Sequence, residues 1–190
     1  QGGFTVCVTT ALLPVDNSAI ITYSGGGTGE GVSAENSNLY SPTDVAVDDK
    51  GNIYIADNGT IKKINKADGV ASIVAGTGVP GFSGDGGLAT AAQIASKIKI
   101  AVDNDGNIFI GDYEEFYSTA SNNSAQYGRI RKINSTTGII NSIVSLPVVL
   151  DHIDLFNHPV YVSRQVTGVT TDANGNVYFI VNRPLGLDEN

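Results

Sequence analysis

Acidic and amide side chains recur in one short phrase, Asp-x-x-Gly-Asn, that is written three times along the chain. The three copies begin at Asp48, Asp103 and Asp172. In the second copy Asp103, Asp105 and Asn107 alternate as oxygen ligands do in a calcium-binding loop. The middle position of that ligand set varies between copies and is Lys50 in the first, which argues against a metal site.

The residues that stay constant favour a turn. An Asp side chain accepts hydrogen bonds from backbone N–H groups a few residues further on, and Gly adopts the positive φ that closes a short hairpin. We therefore predict that all three phrases connect adjacent strands and that none of them binds a metal.

A second group of candidate residues lies between Asp151 and His158. His152 and His158 have Asp151 and Asp154 beside them, so zinc ligation or an acid–base pair is the chemistry that this segment offers. Two histidines are too few for a zinc site, and the sequence has no Gly-x-Ser-x-Gly nucleophile elbow. We expect a surface loop here, and we predict no catalytic residue, no metal and no cofactor.

Two further patterns invite a charged ligand. The Gly-rich segment 75–93 lacks the Gly-Lys-Ser/Thr ending of a phosphate-binding P-loop, so we expect a shaped loop in which Asp85 caps local backbone amides. The basic doublets Lys62-Lys63 and Arg131-Lys132 recur in register with the repeated phrase. We interpret them as solvated charge on an outer strand, where it discourages edge-to-edge pairing.

Composition restricts the class of partner. The chain of 190 residues has 41% hydrophobic residues and a formal net charge of −8. Phosphate binding needs clustered positive charge, and no apolar run reaches the ~20 residues of a membrane-spanning helix. We therefore predict no nucleic-acid partner and no membrane span. The chain contains no Met, so we expect it to be a processed product or part of a longer protein.

The repeated phrases divide the chain into units of short strands. A β-rich strand precedes each phrase and an apolar strand follows it, and two more strands follow in the first two copies. Four antiparallel strands per unit are typical of a β-propeller blade.

We predict an all-β propeller with about three blades' worth of chain and an incomplete ring. The end of a preceding blade occupies 1–27, one blade occupies 28–78, and a second occupies 79–147 with an insertion at 113–126. An irregular linker and the start of a further blade occupy 148–190. Missing chain or another subunit is expected to complete the ring.

These strands carry motifs that resemble the NHL-repeat family of β-propellers. The stretch 41–57 reads Ser-Pro-x-Asp-Val-Ala-Val-Asp-x-x-Gly-Asn-Ile-Tyr-Ile-Ala-Asp, and Gly-x-Ile-x-Lys-Ile-Asn occurs at 59–65 and 128–134. The resemblance covers about 41–144 and, in part, 165–181. It implies a six-bladed type of ring, in a family that includes binding sensors, RNA-binding domains, lyases and hydrolases, so the fold alone does not define the function.

The resemblance and the acidic surface predict a non-enzymatic, extracellular or cell-surface scaffold that binds a protein or a glycan. Two alternatives stay open: a structural subunit that assembles with further copies of itself into an extracellular polymer, and a portion of a hydrolase- or lyase-type propeller enzyme. Aromatic residues in or beside the insertion are the expected binding contacts: Tyr113, Phe116, Tyr117 and Tyr127. Asn-x-Ser/Thr sequons mark three glycosylation candidates: Asn58, Asn122 and Asn134.

Overall fold

The chain is built from short strands, and a 3-10 helix at Ala89–Ala91 interrupts the linker between two sheets. A computed structural model describes residues 32–34, 37–112, 118–119, 128–146, 149–153, 159–162 and 165–182. Its strands are β1 (Val32–Ser33), β2 (Pro42–Val47), β3 (Ile53–Asp57), β4 (Thr60–Ile64), β5 (Val70–Ala75), β6 (Ile98–Val102), β7 (Ile108–Asp112), β8 (Ser118–Thr119), β9 (Arg129–Ile133), β10 (Ile140–Ser145), β11 (Val149–Ile153), β12 (Pro159–Val162), β13 (Val166–Thr171) and β14 (Val177–Val181). The predicted all-β class is confirmed.

Two antiparallel sheets are the blades that the repeats predict. Strands β2, β3, β4 and β5 are neighbours in that order and form the first blade, whose outer edge is extended by β1. Strands β6, β7, β9 and β10 form the second blade, and β13 pairs with β14 as the start of a third. Among the described residues the blades form an open series, so the prediction of a partial propeller is confirmed.

The segment between the second and third blades differs from the irregular linker expected there. Strand β11 pairs with β12 in an antiparallel hairpin, and β12 also pairs with β8. Because β8 lies within the insertion 113–126, part of the predicted exposed loop takes part in a three-stranded sheet. Sequence periodicity missed this sheet because its strands lie outside the repeated unit and β8 has only two residues.

All three Asp-x-x-Gly-Asn phrases form the predicted turn. The Asp48 Oδ1 atom accepts hydrogen bonds from the backbone N–H groups of Lys50 and Asn52, and Oδ2 accepts one from the Asn52 side chain. The bonds from Asn107 to Asp103 and from Asn176 to Asp172 repeat this pattern. The turn glycines have φ near +80°, a region that L side chains rarely adopt: Gly51, Gly106 and Gly175.

The principal core lies between the first two blades. One face of the first blade presents Tyr54 and Ala56, and these residues belong to the same buried cluster as Ile98, Ile100 and Ile110 of the second blade. A hydrogen bond also joins β2 to β6, in which the Ile100 N–H donates to Asp44 Oδ2 at 2.9 Å. Burial of such branched side chains contributes about 1.5–3 kcal/mol each, so the blades stabilise one another.

The third blade packs closely on the second at Gly111. A Cβ atom added to this glycine would lie 2.5 Å from Val166 Cγ1, which is too close for a real contact. The corresponding residue of the first blade is Ala56, and that of the third is Ile180. In the third blade the small residue is on the neighbouring strand, where Gly168 pairs with Ile180.

Candidate functional site

Most of the predicted contact residues lie outside the described part of the chain. This is the case for Tyr113, Phe116, Tyr117, Tyr127 and Asn122, so their role as binding or glycosylation sites stays a prediction. Asn58 and Asn134 are described, and both are exposed. His158 also lies outside the described residues, whereas His152 belongs to β11, a strand rather than the surface loop expected there.

The most developed polar arrangement lies at the end of the second strand in each of the first two blades, where the sequence did not predict a site. Strand β3 ends in Asp57 and strand β7 ends in Asp112, and both carboxylates are buried. Each faces a cation from the third strand, Lys62 in the first blade and Arg131 in the second. We call the group Asp57, Lys62 and Asn38 the first clasp.

The second clasp comprises Asp112, Arg131, Asp85 and Gln93. Arg131 is 0% exposed, and its guanidinium donates to Asp112 Oδ2 at 3.3 Å and to the Gln93 carbonyl at 2.8 Å. Its Nε and Nη2 atoms both donate to Asp85 Oδ1, at 3.0 and 2.7 Å. The planar five-donor guanidinium is suited to holding several acceptors at once. Arg131 thereby joins the Gly-rich linker to the second blade.

The pKa values of the two carboxyl groups in the second clasp are shifted in opposite directions. Desolvation raises the pKa of the buried Asp112 carboxyl to about 6, against the lowering effects of the Ala95 N–H and Arg131. For Asp85, partial burial acts to raise the pKa, but hydrogen bonds from Ser142 and Arg131 outweigh it and hold the pKa below its ordinary value. Asp85 is therefore the firmly ionised partner of Arg131.

The Gly-rich linker owes its shape to these contacts and to its glycines. The Ser83 carbonyl accepts from Arg131 at 2.9 Å, and Asp85 Oδ2 accepts from the Ser142 N–H at 3.0 Å. Gly84 has φ of +96°, and a Cβ there would lie 2.6 Å from the Ala92 Cα atom. The expectation that Asp85 caps backbone amides is met only in part, because its strongest partner is the buried Arg131.

The first clasp uses the same framework with a smaller cation. The Lys62 ammonium donates to the Asn38 carbonyl and to Asp57 Oδ2, the latter at 3.3 Å. Asp57 also accepts the backbone N–H groups of Tyr40 and Ser41, just as Asp112 accepts that of Ala95. The Tyr40 ring lies 5.7 Å from the ammonium and is 66% exposed.

A pocket of about 290 Å³ opens beside the first clasp. The described residues that line it are polar except for one branched side chain and a glycine: Asn38, Tyr40, Asp57, Asn58, Thr60, Lys62, Ile73, Thr77 and Gly78. Asn58 directly follows β3, has φ of +44° and lines the pocket, so a glycan on this sequon would stand at the pocket. An ammonium, a carboxylate, amides and an accessible ring are groups suited to recognising a polar ligand.

The second residue of each basic doublet has a different role. The Lys63 ammonium lies 5.3 Å from the Tyr54 ring centroid, and the Lys132 ammonium lies 5.3 Å from that of Phe109. These cation–π contacts place the aliphatic stems over buried rings. The interpretation of the doublets as solvated outer-strand charge is therefore wrong, since β4 and β9 are inner neighbours of β5 and β10.

No cluster of three or more His, Cys, Asp or Glu residues that could hold a metal ion occurs among the residues that the structure describes. In the same part of the chain, no helix is long and apolar enough to cross a membrane.

The four-stranded antiparallel blades, each with an Asp-x-x-Gly-Asn turn, have the architecture of a partial β-propeller. Residues 19–81 match the family model of the teneurin NHL domain. This match spans β1 to β5 together with the first clasp and its pocket, and it confirms the resemblance to NHL repeats. No curated protein matches the chain significantly.

Both clasps were missed by sequence reasoning, although signals for them were present. An Asp directly follows the apolar run of β3 and of β7, at Asp57 and Asp112, and a basic residue occupies the same place in each third strand. The pairing of these positions becomes visible only through the strand register, which sets Ile55 opposite Lys62 and Ile110 opposite Arg131.

Proposed function

We propose that this chain is part of an extracellular, non-enzymatic NHL-type propeller that acts as a scaffold for binding a protein or a glycan. The observation that carries the proposal is the pocket beside the first clasp, in which an exposed ring, amides and an ion pair converge on one opening. The match of 19–81 to the teneurin NHL domain supports an extracellular setting.

The carboxylates of the clasps bind basic side chains and backbone N–H groups of the blades and linkers. Asp112 is buried against Arg131, and Asp57 accepts two backbone N–H groups in addition to Lys62. A general base needs to be within reach of a substrate proton and to be free to accept it. These carboxylates stabilise loops instead, which favours recognition over catalysis.

The insertion supplies a second contact area in this proposal. Tyr113, Phe116, Tyr117 and Tyr127 provide large aromatic surfaces of the kind that dominates binding interfaces. Because Asn58 and Asn134 are exposed, both sequons are accessible for glycosylation. A glycan at Asn58 is expected to restrict the pocket, and one at Asn134 to leave it open.

The test is binding of the purified chain to a panel of extracellular proteins and glycans, with lactone and ester hydrolysis measured in parallel. Tyr40→Ala is expected to weaken binding at the pocket about tenfold, while Tyr40→Phe keeps the ring and the affinity. A triple replacement of Tyr113, Phe116 and Tyr117 by Ser is expected to weaken binding through the insertion. Turnover of a substrate, or binding that none of these variants changes, would contradict the proposal.

A second candidate function, assembly into a polymer of copies, is favoured by the open face of the third blade. Phe109 of β7 is 2% exposed, whereas its counterpart Tyr178 in β14 is 55% exposed and Ile180 is 67% exposed. Large exposed apolar side chains on a strand promote association. Sedimentation velocity is expected to show concentration-dependent association that Ile180→Asp abolishes; a monomer at all concentrations would refute this candidate.

A further inference from the structure

The linkers that lead into the first two blades follow the same path over their last strands. The Ala34 N–H donates to the Gly69 carbonyl at 2.8 Å, and the Ala89 N–H donates to the Gly138 carbonyl at 2.8 Å. One residue earlier, Ser33 pairs with Val70 as Leu88 pairs with Ile139. The two blades can therefore be compared position by position.

In the second blade, a carboxylate occupies the space between the third and fourth strands. Asp85 Oδ1 accepts from Arg131 at 2.7 Å, and Oδ2 accepts from the Ser142 N–H at 3.0 Å. Arg131 and Ser142 are direct partners in the strand register. Both oxygens of one acidic side chain are thus bound by two residues that face each other across β9 and β10.

The pocket occupies the corresponding space of the first blade. Lys62 and Ile73 are direct partners in the register of β4 and β5, and both line the pocket. The strand register shifts by one residue at the same point in both blades. In the first blade Lys62 pairs with Ile73 and Ile61 with Ala75. In the second, Arg131 pairs with Ser142 and Ile130 with Val144. This match places the Ile73 N–H where the Ser142 N–H binds Asp85 Oδ2.

The remaining hydrogen-bond donor capacity of Lys62 is suited to binding a carboxylate. An ammonium has three N–H donors, and within the described part of the chain two of them have partners, in Asn38 and Asp57. The same two acceptor positions are used by Arg131, in the Gln93 carbonyl and Asp112. The second blade adds two further acceptors, the Ser83 carbonyl and Asp85. Of these, Asp85 also binds the Ser142 N–H, so the third donor of Lys62 is matched to the Asp85 contact.

We propose that the pocket beside the first clasp is a carboxylate-binding site, in which Lys62 and the Ile73 N–H bind the two oxygens of an acidic side chain on a Gly-flanked peptide. A bound carboxylate gives the first blade the charges of the second, one cation with two carboxylates. The peptide form follows from Asp85, which lies in Ser-Gly-Asp-Gly-Gly. This inference rests on the proposed binding function and names the chemistry of one of its contacts.

The acidic side chain has two sources. One is a partner protein. The other is this chain, since Glu30 has glycine on both sides and stands 55 residues before Asp85, the spacing between Gly51 and Gly106. Glu30 lies outside the described residues, and the chemistry at the pocket is the same for both sources.

The test uses the capped pentapeptide Ser-Gly-Asp-Gly-Gly and its Asn-containing analogue as probes, with the full chain labelled by ¹⁵N. Binding is followed by the shift of the Ile73 backbone amide and is expected to have a dissociation constant on the order of 1 mM. Lys62→Met is expected to weaken it at least about tenfold, and Lys62→Arg to retain it. Lys63→Met is the matched control, because it removes an identical charge that lies over the Tyr54 ring, outside the pocket.

The Glu30→Gln variant separates the two sources. If the wild-type chain binds the Asp peptide and the Asn analogue binds at least tenfold less, the site is open to a partner. If only Glu30→Gln binds it, the carboxylate of the chain itself holds the site. If neither chain binds the Asp peptide in preference to the Asn analogue, or if Lys63→Met weakens binding as much as Lys62→Met, the proposal is overturned. Thermal unfolding of each variant reports whether it is folded, and the Lys62→Arg chain tests the site if Lys62→Met is unfolded.

This experiment and the panel test fail in different ways. Binding of a panel protein through the insertion, without peptide binding at Ile73, would support the scaffold and refute the carboxylate site. Peptide binding at Ile73 without any panel partner would leave the carboxylate site established and refute the broader proposal.

Discussion

The first and second blades pair a buried carboxylate at the same position with different cations. Both end their second strand in a buried Asp and set a basic residue beside it, at Lys62 and at Arg131. Arg131 is fully buried and bonds to Ser83, Asp85, Gln93 and Asp112, so the linker closes over it. Among the residues that the structure describes, Lys62 has the equivalents of two of these contacts, to Asn38 and Asp57, and a pocket lies beside it.

The difference shows how one repeat can yield both a structural element and a binding element. Arg has a planar fork that satisfies several acceptors at fixed angles, whereas Lys is a compact charge on a flexible stem. Lys at the position of Arg131 therefore limits how many acceptors one side chain can satisfy at fixed angles. The framework acceptors, Asp57 with the Asn38 carbonyl and Asp112 with the Gln93 carbonyl, are common to both.

The largest expected effect comes from removing the buried guanidinium. Arg131→Met leaves Asp112 buried without its cation and detaches the linker, so the free energy of unfolding is expected to fall by about 3–5 kcal/mol. Urea unfolding followed by circular dichroism measures this loss.

Lys62→Met is the matched variant in the first blade. Asp57 keeps two backbone N–H donors, and Lys62 is partly exposed, so the expected loss is about 1–2 kcal/mol. Equal losses of unfolding free energy in Arg131→Met and Lys62→Met would show that the two clasps contribute equally to stability.

A pH-dependent effect is expected from the protonation of Asp112. Its pKa is about 6 in the folded chain and near 3.8 when unfolded, so the folded state binds the proton more tightly. The contribution of this group to stability is fully present below pH 4 and is lost as the pH rises through 6, by an amount on the order of 3 kcal/mol.

Comparison with Asp112→Asn isolates this contribution. Several other carboxyls, among them Asp48 and Asp85, have lowered pKa values and act in the opposite direction, since their contribution is lost as the pH falls. We expect the wild-type chain to lose stability relative to Asp112→Asn between pH 4 and pH 7. A constant difference over this range would mean that Arg131 keeps Asp112 ionised throughout.

The smallest expected effect is the loss of stability when a tyrosine hydroxyl is removed from the first or the third blade. The Tyr54 hydroxyl donates to Asp48 Oδ2 and the Tyr178 hydroxyl donates to Asp172 Oδ2, both at 3.2 Å. Tyr54 is 3% exposed, so Tyr54→Phe is expected to cost about 1 kcal/mol. Tyr178→Phe is expected to cost less than this, because Tyr178 is exposed and water replaces the lost partner.

Thermal unfolding of these two tyrosine variants provides the measurement. Phe109 occupies the same position in the second blade, so the phenylalanine ring fits the turn in both cases. A loss from Tyr178→Phe as large as that from Tyr54→Phe would show that the third blade is covered in solution, and would favour assembly of copies.

Local signals in the sequence were sufficient for the turns and for most strands. The Asp, Gly and Asn of each phrase act within a few residues, so their hydrogen bonds and positive φ values follow from residue types alone. The sheet formed by β8, β11 and β12 was not predictable in this way, because β8 has two residues and its partner Pro159–Val162 is distant in sequence. The two clasps were also beyond local reasoning, since Asp85 and Arg131 lie 46 residues apart.

By itself, the sequence determined the repeated unit, its four strands and its turns, because periodicity and turn chemistry depend on neighbouring residues. Tertiary structure decided what the charged residues do. Strand register sets Arg131 opposite Ser142 and Lys62 opposite Ile73. In the second blade the linker covers the cation, and in the first blade a pocket lies beside it. The energy of a charge depends on its burial and on the partners that the fold brings to it. Lys62 and Arg131 look alike in sequence, and only the fold separates a candidate binding site from a buried structural contact.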